Sequence, residues 1–333
     1  MAQYEKNKRI AISSRDYVLA LLVVTVWGAN FTVIKLGLGG VPPMLLAALR
    51  FTLTALPAVA FIRRPAVEFR YCVAYGLTVG VGQFGCLFYA MDIGMPAGVA
   101  SVVLQSQVLF TLLFAAIFLR ESIMGSQLVG LVVAAVGLYL IGGNVDTVGV
   151  SAIPVFAFFL TLLGAVFWGI SNIIVRYAVD QAASRGERLD MLSMVVWASL
   201  IPPLPLLALA LILDTPQAVW NALTNLDALS VFAVLYLTFG ATLFGFGTWS
   251  GLLARYPAGK VAPLSLLVPV TGLLTAQIIL GEQLSMLQWV GGLVIFFGLI
   301  VSTLGLPQIS YLRQSKDYNV STEVERQDNK HEL

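Results

Sequence analysis

The sequence predicts an all-α polytopic membrane protein of about ten transmembrane helices, arranged as two inverted five-helix repeats. Three observations predict this class: an apolar composition, basic residues confined to alternate loops, and an internal repeat. Hydrophobic residues make up 59% of the 333 residues, charged residues make up 11%, and the mean hydropathy is +0.89. Because a soluble domain carries about 25% charged residues, we expect lipid to be the solvent of this chain.

Transmembrane helices are predicted wherever about 20 mostly apolar residues run between polar segments, since that length crosses the hydrocarbon layer. The runs are continuous and rich in Leu, Val and Ala, which favours helices over a barrel, whose strands alternate with period two. The predicted spans are 16–36, 43–62, 71–91, 96–119, 125–142, 152–176, 191–212, 229–253, 259–280 and 286–306. Residues 1–15 form an N-terminal tail, and residues 307–333 form a charged tail that we expect to be disordered.

Basic residues lie in the tails and in alternate loops. Of 19 Lys and Arg residues, 17 fall on one side of the predicted topology, whereas the opposite loops contain acidic residues and no Lys or Arg. Short loops rich in Lys and Arg remain in the cytoplasm. We therefore expect both tails to be cytoplasmic and the number of spans to be even.

An internal repeat relates the two halves of the chain. At an offset of 161 residues, 15 of the 47 positions in 95–141 are identical. The matches include Pro96 with Pro257, Glu121 with Glu282, Gln127 with Gln288, Gly130 with Gly291, and Gly137 with Gly298. A weaker match at an offset of 141 places Trp27-Gly28 on Trp168-Gly169.

The predicted repeats are 16–142 and 152–306, with five spans in each. Because five is an odd number, the second repeat must enter the membrane from the opposite side. Inverted repeats around a site at the middle of the membrane are an architecture of secondary transporters. Duplication that merely enlarges a bundle is the alternative.

The sequence offers little for catalysis. Its one histidine, His331, lies in the C-terminal tail, and no Asp or Glu lies deep in a predicted span. Cys72 and Cys86 have no histidine to activate them, and no cluster has metal-ligand spacing. We expect no enzyme, no catalytic residue, no metal and no cofactor. The net charge of +2 does not indicate a nucleic-acid partner.

Uncharged polar side chains are frequent within the predicted spans. In lipid, such groups either bond to neighbouring helices or face a wet cavity. Ser101, Gln105 and Gln107 lie close together in the fourth span, which favours a cavity lining there. Two cations, Lys35 and Arg50, also lie inside spans. Each either snorkels to the interface or offers charge to a substrate carboxylate, and for Arg50 we favour a structural role.

Prolines predict irregular helices. Pro263 and Pro269 interrupt the ninth span, and each removes a helix hydrogen bond. Pro202, Pro203 and Pro205 are expected to bend the seventh span. Irregular backbone at membrane depth is tolerated where it is buried or lines a cavity, so we expect a functional helix break in the ninth span.

Four segments together resemble the EamA-type branch of the drug/metabolite transporter superfamily. They are Trp27–Lys35, Leu49–Phe51, Gly94–Ser101 and Val261–Pro269. The resemblance covers residues 16–306. It implies ten helices as inverted repeats around a central cavity, a bacterial inner (plasma) membrane location, and a small-molecule substrate as partner besides the lipid bilayer. The predicted cavity residues are Trp27, Asn30, Lys35, Gln83, Tyr89, Ser101, Gln105, Gln107, Asn172, Trp249 and Ser265.

The function implied by the resemblance is export of small amino acids or derivatives, such as cysteine and O-acetylserine, by alternating access. A first alternative is export of aromatic amino acids or other amphipathic metabolites and drugs, with Trp27 and Trp249 stacking on the substrate. A second is a non-transporting structural or sensory membrane protein. The sequence neither indicates nor excludes an oligomer.

Overall fold

The computed structural model describes residues 12–142 and 153–304, and its elements are helices. They are α1 (Ser14–Gly37), α2 (Pro43–Ala60), α3 (Phe69–Asp92), α4 (Ala97–Phe118), α5 (Gly125–Gly142), α6 (Val155–Ser184), α7 (Met191–Ala198 and Pro203–Leu213), α8 (Ala228–Arg255), α9 (Pro263–Leu280) and α10 (Met286–Leu304). Seven of these are long and apolar enough to cross a bilayer. The bent pair α7 and the shorter apolar helices α5 and α10 complete ten spans, so the predicted fold class is confirmed.

The helices begin and end close to the predicted boundaries, with three differences. The α-helical part of α2 ends at Ala55, and a 3-10 turn follows at Ala58–Ala60. Helix α6 continues to Ser184 instead of ending near 176. A short additional helix, Pro216–Thr224, links α7 to α8; it starts where the Thr215 side chain caps the N–H of Ala218. The C-terminal tail 307–333 and residues 1–11 lie outside the described ranges.

The prolines bend α7 as expected. Its two segments meet at an angle of 44°. Pro203 is the first residue of the second segment, where the missing N–H would have no partner in any case. Pro202 therefore marks the corner between the two helices.

Helices α5 and α10 show that the halves are inverted. Gly130 packs against Gly298 and Gly137 against Gly291: a Cβ added at Gly130 would lie 2.5 Å from the Gly298 carbonyl oxygen, and one at Gly137 would lie 2.6 Å from that of Gly291. The two helices are therefore antiparallel and in backbone contact, which small residues permit. The repeat matches Gly130 with Gly291 and Gly137 with Gly298. A rotation that exchanges the two halves therefore places the Gly130–Gly298 contact on the Gly137–Gly291 contact.

A second pair of equivalent contacts interlocks the halves. A Cβ at Gly28 of α1 would lie 1.9 Å from Thr271 Oγ1 of α9, and one at Gly169 of α6 would lie 2.9 Å from Cβ of Phe110 in α4. Gly28 matches Gly169 at the offset of 141, and Phe110 matches Thr271 at the offset of 161. The first helix of each half thus packs into the opposite half.

Each half contains the same two irregular segments. A π-helical segment occupies Gly76–Gln83 in α3 and Tyr236–Phe244 in α8. A 3-10 segment occupies Leu104–Ser106 in α4 and Ala262–Leu267 at the start of α9. The offset of 161 relates both pairs. Most of these irregularities have no proline, so the sequence indicated the one in α9 but not the others.

Three ion pairs join helix ends of the two halves. They are Asp16 with Arg255 at 2.9 Å, Glu68 with Arg185 at 3.2 Å, and Glu121 with Arg176. Each pair links ends that the topology assigns to the same, basic side. All three pairs cross from one half to the other, so the charged side is also a surface of contact between the halves.

Candidate functional site

The predicted cavity residues take part in several contacts between helices. Trp27 contacts two aromatic residues of α8: its ring centroid lies 5.2 Å from that of Trp249 and 5.5 Å from that of Phe246. Trp27 Nε1 donates to the Ala241 carbonyl oxygen at 2.9 Å, within the π-helical segment of α8. This bond holds the Trp27 indole of α1 against α8. The rings of Trp27, Phe246 and Trp249 therefore lie close together.

Gln107 and Asn172 join α4 to α6. Asn172 Nδ2 donates to Gln107 Oε1 at 2.8 Å and to Thr111 Oγ1 at 2.9 Å. Thr111 Oγ1 in turn donates to the Gln107 carbonyl oxygen at 2.7 Å. These bonds link α4 to α6, which is the interhelical role that the sequence left open as an alternative.

Ser101 and Lys35 also make contacts within the protein. Ser101 is 1% exposed, and its Oγ donates to the Gly98 carbonyl oxygen at 2.6 Å. Lys35 Nζ donates to the carbonyl oxygen of Met91 and so ties the end of α1 to the end of α3. Tyr89 is half-buried against the main apolar core, and Ser265 is half-buried in the 3-10 segment before the regular part of α9.

Several buried polar atoms have no hydrogen-bond partner among the described residues. They include Asn30 Oδ1 and Gln83 Oε1, on side chains that are 7% and 4% exposed. Gln105 is 8% exposed in the 3-10 segment of α4. Because a buried polar group without a partner costs free energy, such atoms mark places where a ligand or water gains most by binding.

Arg50 is the most unusual of these residues. It is 3% exposed, and its Nη2 donates to Thr242 Oγ1 at 3.1 Å. The guanidinium carbon lies 4.0 Å from the ring centroid of Phe84. Nε and Nη1 have no partner within 12–142 and 153–304. Snorkelling to the interface is therefore excluded for this side chain, whose head group lies among α2, α3 and α8.

A pocket lies beside Arg50, between helices of both halves. Its lining comes from α2, α3, α7 and α8 and includes Tyr75, Gly80, Ser199, Pro202 and Thr242. Gly80 belongs to the first π-helical segment and Thr242 to the second. A Cβ at Gly80 would lie 2.0 Å from Pro202 Cγ, so α3 meets α7 at its bend. The sequence pointed to Arg50 as a cation in a span, but not to this pocket.

Comparison with models of protein families assigns this chain to a family. The model of the EamA-like transporter family matches residues 15–143 and 155–304 of this chain. The protein belongs to the EamA-like transporter family. The resemblance found in the sequence is confirmed at this level, and the ten apolar spans are those of a multi-pass membrane transporter family.

In this EamA-family protein, the four segments that carried the resemblance all lie at contacts between helices. Trp27–Lys35 lies in α1, and Leu49–Phe51 places Arg50 in α2. Gly94–Ser101 begins α4, and Val261–Pro269 contains the 3-10 segment of α9. The family signature is thus concentrated where the halves interlock and where the Arg50 pocket forms.

Two relatives resemble the EamA-family protein over nearly their whole length. It is 42% identical over 295 residues to a "Probable amino-acid metabolite efflux pump" of Escherichia coli (strain K12), covering 89% of this chain and 97% of the relative. It is 43% identical over 295 residues to a protein of the same name from Salmonella typhimurium, covering 88% and 96%.

Two further similarities are more distant. A "Probable terminal-alkyne amino-acid exporter" of Streptantibioticus cattleyicolor is 27% identical over 286 residues, covering 84% of this chain and 90% of the relative. A crystal structure with 19% sequence identity superposes with a TM-score of 0.58, covering 88% of this chain and 98% of the other. The second similarity concerns the fold alone.

Proposed function

We propose that this EamA-family protein is a secondary transporter that exports amino-acid metabolites across the bacterial inner membrane. The observation that carries the proposal is the 42% identity to an amino-acid metabolite efflux pump over 97% of that relative. The named exporter of a terminal-alkyne amino acid, at 27% identity, supports the same substrate class. The sequence offers no catalytic constellation, which favours transport over an enzyme activity.

We propose that transport proceeds by alternating access. Its support is the inverted packing of α5 against α10, in which exchanging the halves exchanges the glycine contacts. In such a fold, one half rocks against the other around a site at mid-depth. The interlocked contacts of Gly28 and Gly169 are equivalent places about which this rocking would occur.

Small zwitterions such as cysteine and O-acetylserine are the first substrates to test. The buried amide oxygens of Asn30 and Gln83 offer acceptors for an ammonium or hydroxyl group. The cluster of Trp27, Trp249 and Phe246 favours a second candidate class, aromatic amino acids and other amphipathic compounds, which would stack on these rings.

Uptake by inside-out vesicles across a panel of amino acids tests the proposal. Vesicles that contain the protein should accumulate cysteine or O-acetylserine faster than matched vesicles without it. In cells, overexpression should move the same compounds from the cytoplasm to the medium. If membrane-inserted protein moves no panel member above the control, the proposal is wrong and a structural or sensory role is favoured instead.

A further inference from the structure

Arg50 places a charge inside a membrane-spanning helix, away from both of its ends. It follows Pro43, the first residue of α2, by seven positions in a helix that ends at Ala60. At 1.5 Å per residue, it lies about 10 Å along the helix, well inside a hydrocarbon layer of about 30 Å. A charged side chain within a span costs free energy, so charged residues are rare there. Those that occur mark substrate or ion pathways.

No acidic side chain of residues 12–142 or 153–304 forms an ion pair with the Arg50 guanidinium. Thr242 Oγ1 accepts one hydrogen bond from Nη2 and itself donates to the Leu237 carbonyl oxygen at 2.8 Å. Nε and Nη1, which carry three N–H groups between them, stay without a partner.

The pocket beside Arg50 would offer one counter-charge to an anionic group that entered it. Among the residues that line it, Arg50 is the only Lys, Arg, Asp or Glu. The rings of Phe84 and Phe51, at 4.0 and 5.5 Å from the guanidinium carbon, stabilise the cation without neutralising it.

The backbone around the pocket is also unusual. Both π-helical segments contribute to its lining, Gly76–Gln83 from α3 and Tyr236–Phe244 from α8. Short π-helical segments occur frequently at functional sites. Phe246 lines the pocket and lies 5.5 Å from Trp27, so the cluster of Trp27, Trp249 and Phe246 borders the pocket.

We propose that Arg50 binds the carboxylate of the transported amino-acid metabolite. The inference rests on the proposed export of such compounds and adds the group that recognises them. Nε and Nη1 donate charge-assisted hydrogen bonds to the carboxylate, while Thr242 and Phe84 hold the guanidinium in place. Phe246, which also lines the pocket, offers an aromatic ring to the remainder of the substrate. Substrates are therefore carboxylates, and amines that lack this group are poor ligands.

The test compares two ligands that differ only at the carboxylate, L-cysteine and L-cysteine methyl ester. Binding to the purified full-length protein in detergent is followed by tryptophan fluorescence or calorimetry. We expect the wild type to prefer the acid, and Arg50→Gln to weaken binding of the acid by at least about tenfold while binding of the ester changes little. Arg185→Gln, which removes a surface arginine outside the pocket, should keep the wild-type preference.

Arg50→Lys is a second variant that keeps the inference testable if Arg50→Gln does not fold. It keeps the charge but loses donors and the planar geometry, so its preference for the acid should fall between those of the wild type and Arg50→Gln. An unchanged ratio of acid to ester affinity in a folded Arg50 variant overturns the inference and leaves the export proposal intact. Equal binding of both ligands by the wild type also overturns the inference and leaves the export proposal intact. If the wild type neither binds nor moves any amino acid of the panel, the proposed function fails, and this inference fails with it.

Discussion

Glu282 caps helix α4 at Ala97. Its Oε1 accepts from the Ala97 N–H at 2.6 Å, and its Oε2 accepts from the Gly98 N–H at 2.9 Å. Glu282 follows α9 in the second half, whereas α4 belongs to the first, so a negative charge from one half satisfies the positive helix end of the other. The repeat equates Glu282 with Glu121, which pairs instead with Arg176 on the opposite side of the protein.

This cap holds the halves together on the side that the topology predicts to face outward. A side-chain cap contributes about 1–2 kcal/mol, so Glu282→Ala should shift the equilibrium between inward-open and outward-open states by roughly 5–30-fold. The readout is labelling of Met95→Cys by a membrane-impermeant maleimide, since Met95 is fully buried beside the cap. Labelling should accelerate in the Glu282→Ala background and stay slow with Glu187→Ala, an exposed control. Equal rates in both backgrounds would contradict the role of the cap.

The glycine contacts between α5 and α10 should not tolerate a methyl group. Gly130→Ala places a Cβ 2.5 Å from the Gly298 carbonyl oxygen, and overpacking of this kind costs about 1–3 kcal/mol. The melting temperature of the detergent-solubilised protein should fall. Gly125→Ala is the matched control, because a Cβ there meets nothing within 4 Å. A Gly130→Ala protein as stable as the control would be incompatible with the antiparallel contact.

Asn172 should act on stability and not on substrate choice. Asn172→Ala removes two donated hydrogen bonds and leaves Gln107 Oε1 without its strongest contact, and interhelical bonds in membranes contribute about 0.6–2 kcal/mol. We expect a lower melting temperature with an unchanged KM for transport.

A double-mutant cycle with Gln107→Ala checks the pairing. The two effects on stability should be less than additive, because either change breaks the same hydrogen bond. A several-fold change in KM without loss of stability would instead support the predicted role of both residues in lining the substrate cavity.

The predicted orientation gives a labelling pattern in intact cells. Two exposed positions test it, Gln217 in the helix that links α7 to α8 and Glu187 between α6 and α7. In a protein whose native Cys72 and Cys86 are replaced by alanine, an impermeant maleimide should label Gln217→Cys without permeabilisation. Glu187→Cys should react only after the membrane is opened. The reverse pattern would place the basic loops outside.

Much of the fold could be predicted because it depends on local properties. A run of apolar residues determines where a helix crosses the membrane, whichever neighbours it later acquires. The start and end of the fifth span, 125–142, coincide with Gly125–Gly142. Helix α6 is longer than predicted because its last two turns, up to Ser184, contain Asp180 and Gln181 and so do not continue the apolar run.

The candidate site was less predictable. A single polar residue in a span does not reveal its partner, so the sequence could not show that Asn172 bonds to Gln107. The sequence favours a structural role for Arg50, and its contacts on other helices cannot be read from one helix alone. The π-helical segments had no proline or other local marker.

The sequence by itself determined the ten spans, the two repeats and the family, because hydrophobic length, charge distribution and the repeated residues are properties of the chain. Only the tertiary structure decided which polar groups meet and which stay without partners. The rotation of each helix is set by its packing against helices distant in the sequence. Arg50 of α2 thus faces Thr242 of α8, 192 residues away, across a pocket that neither helix forms alone.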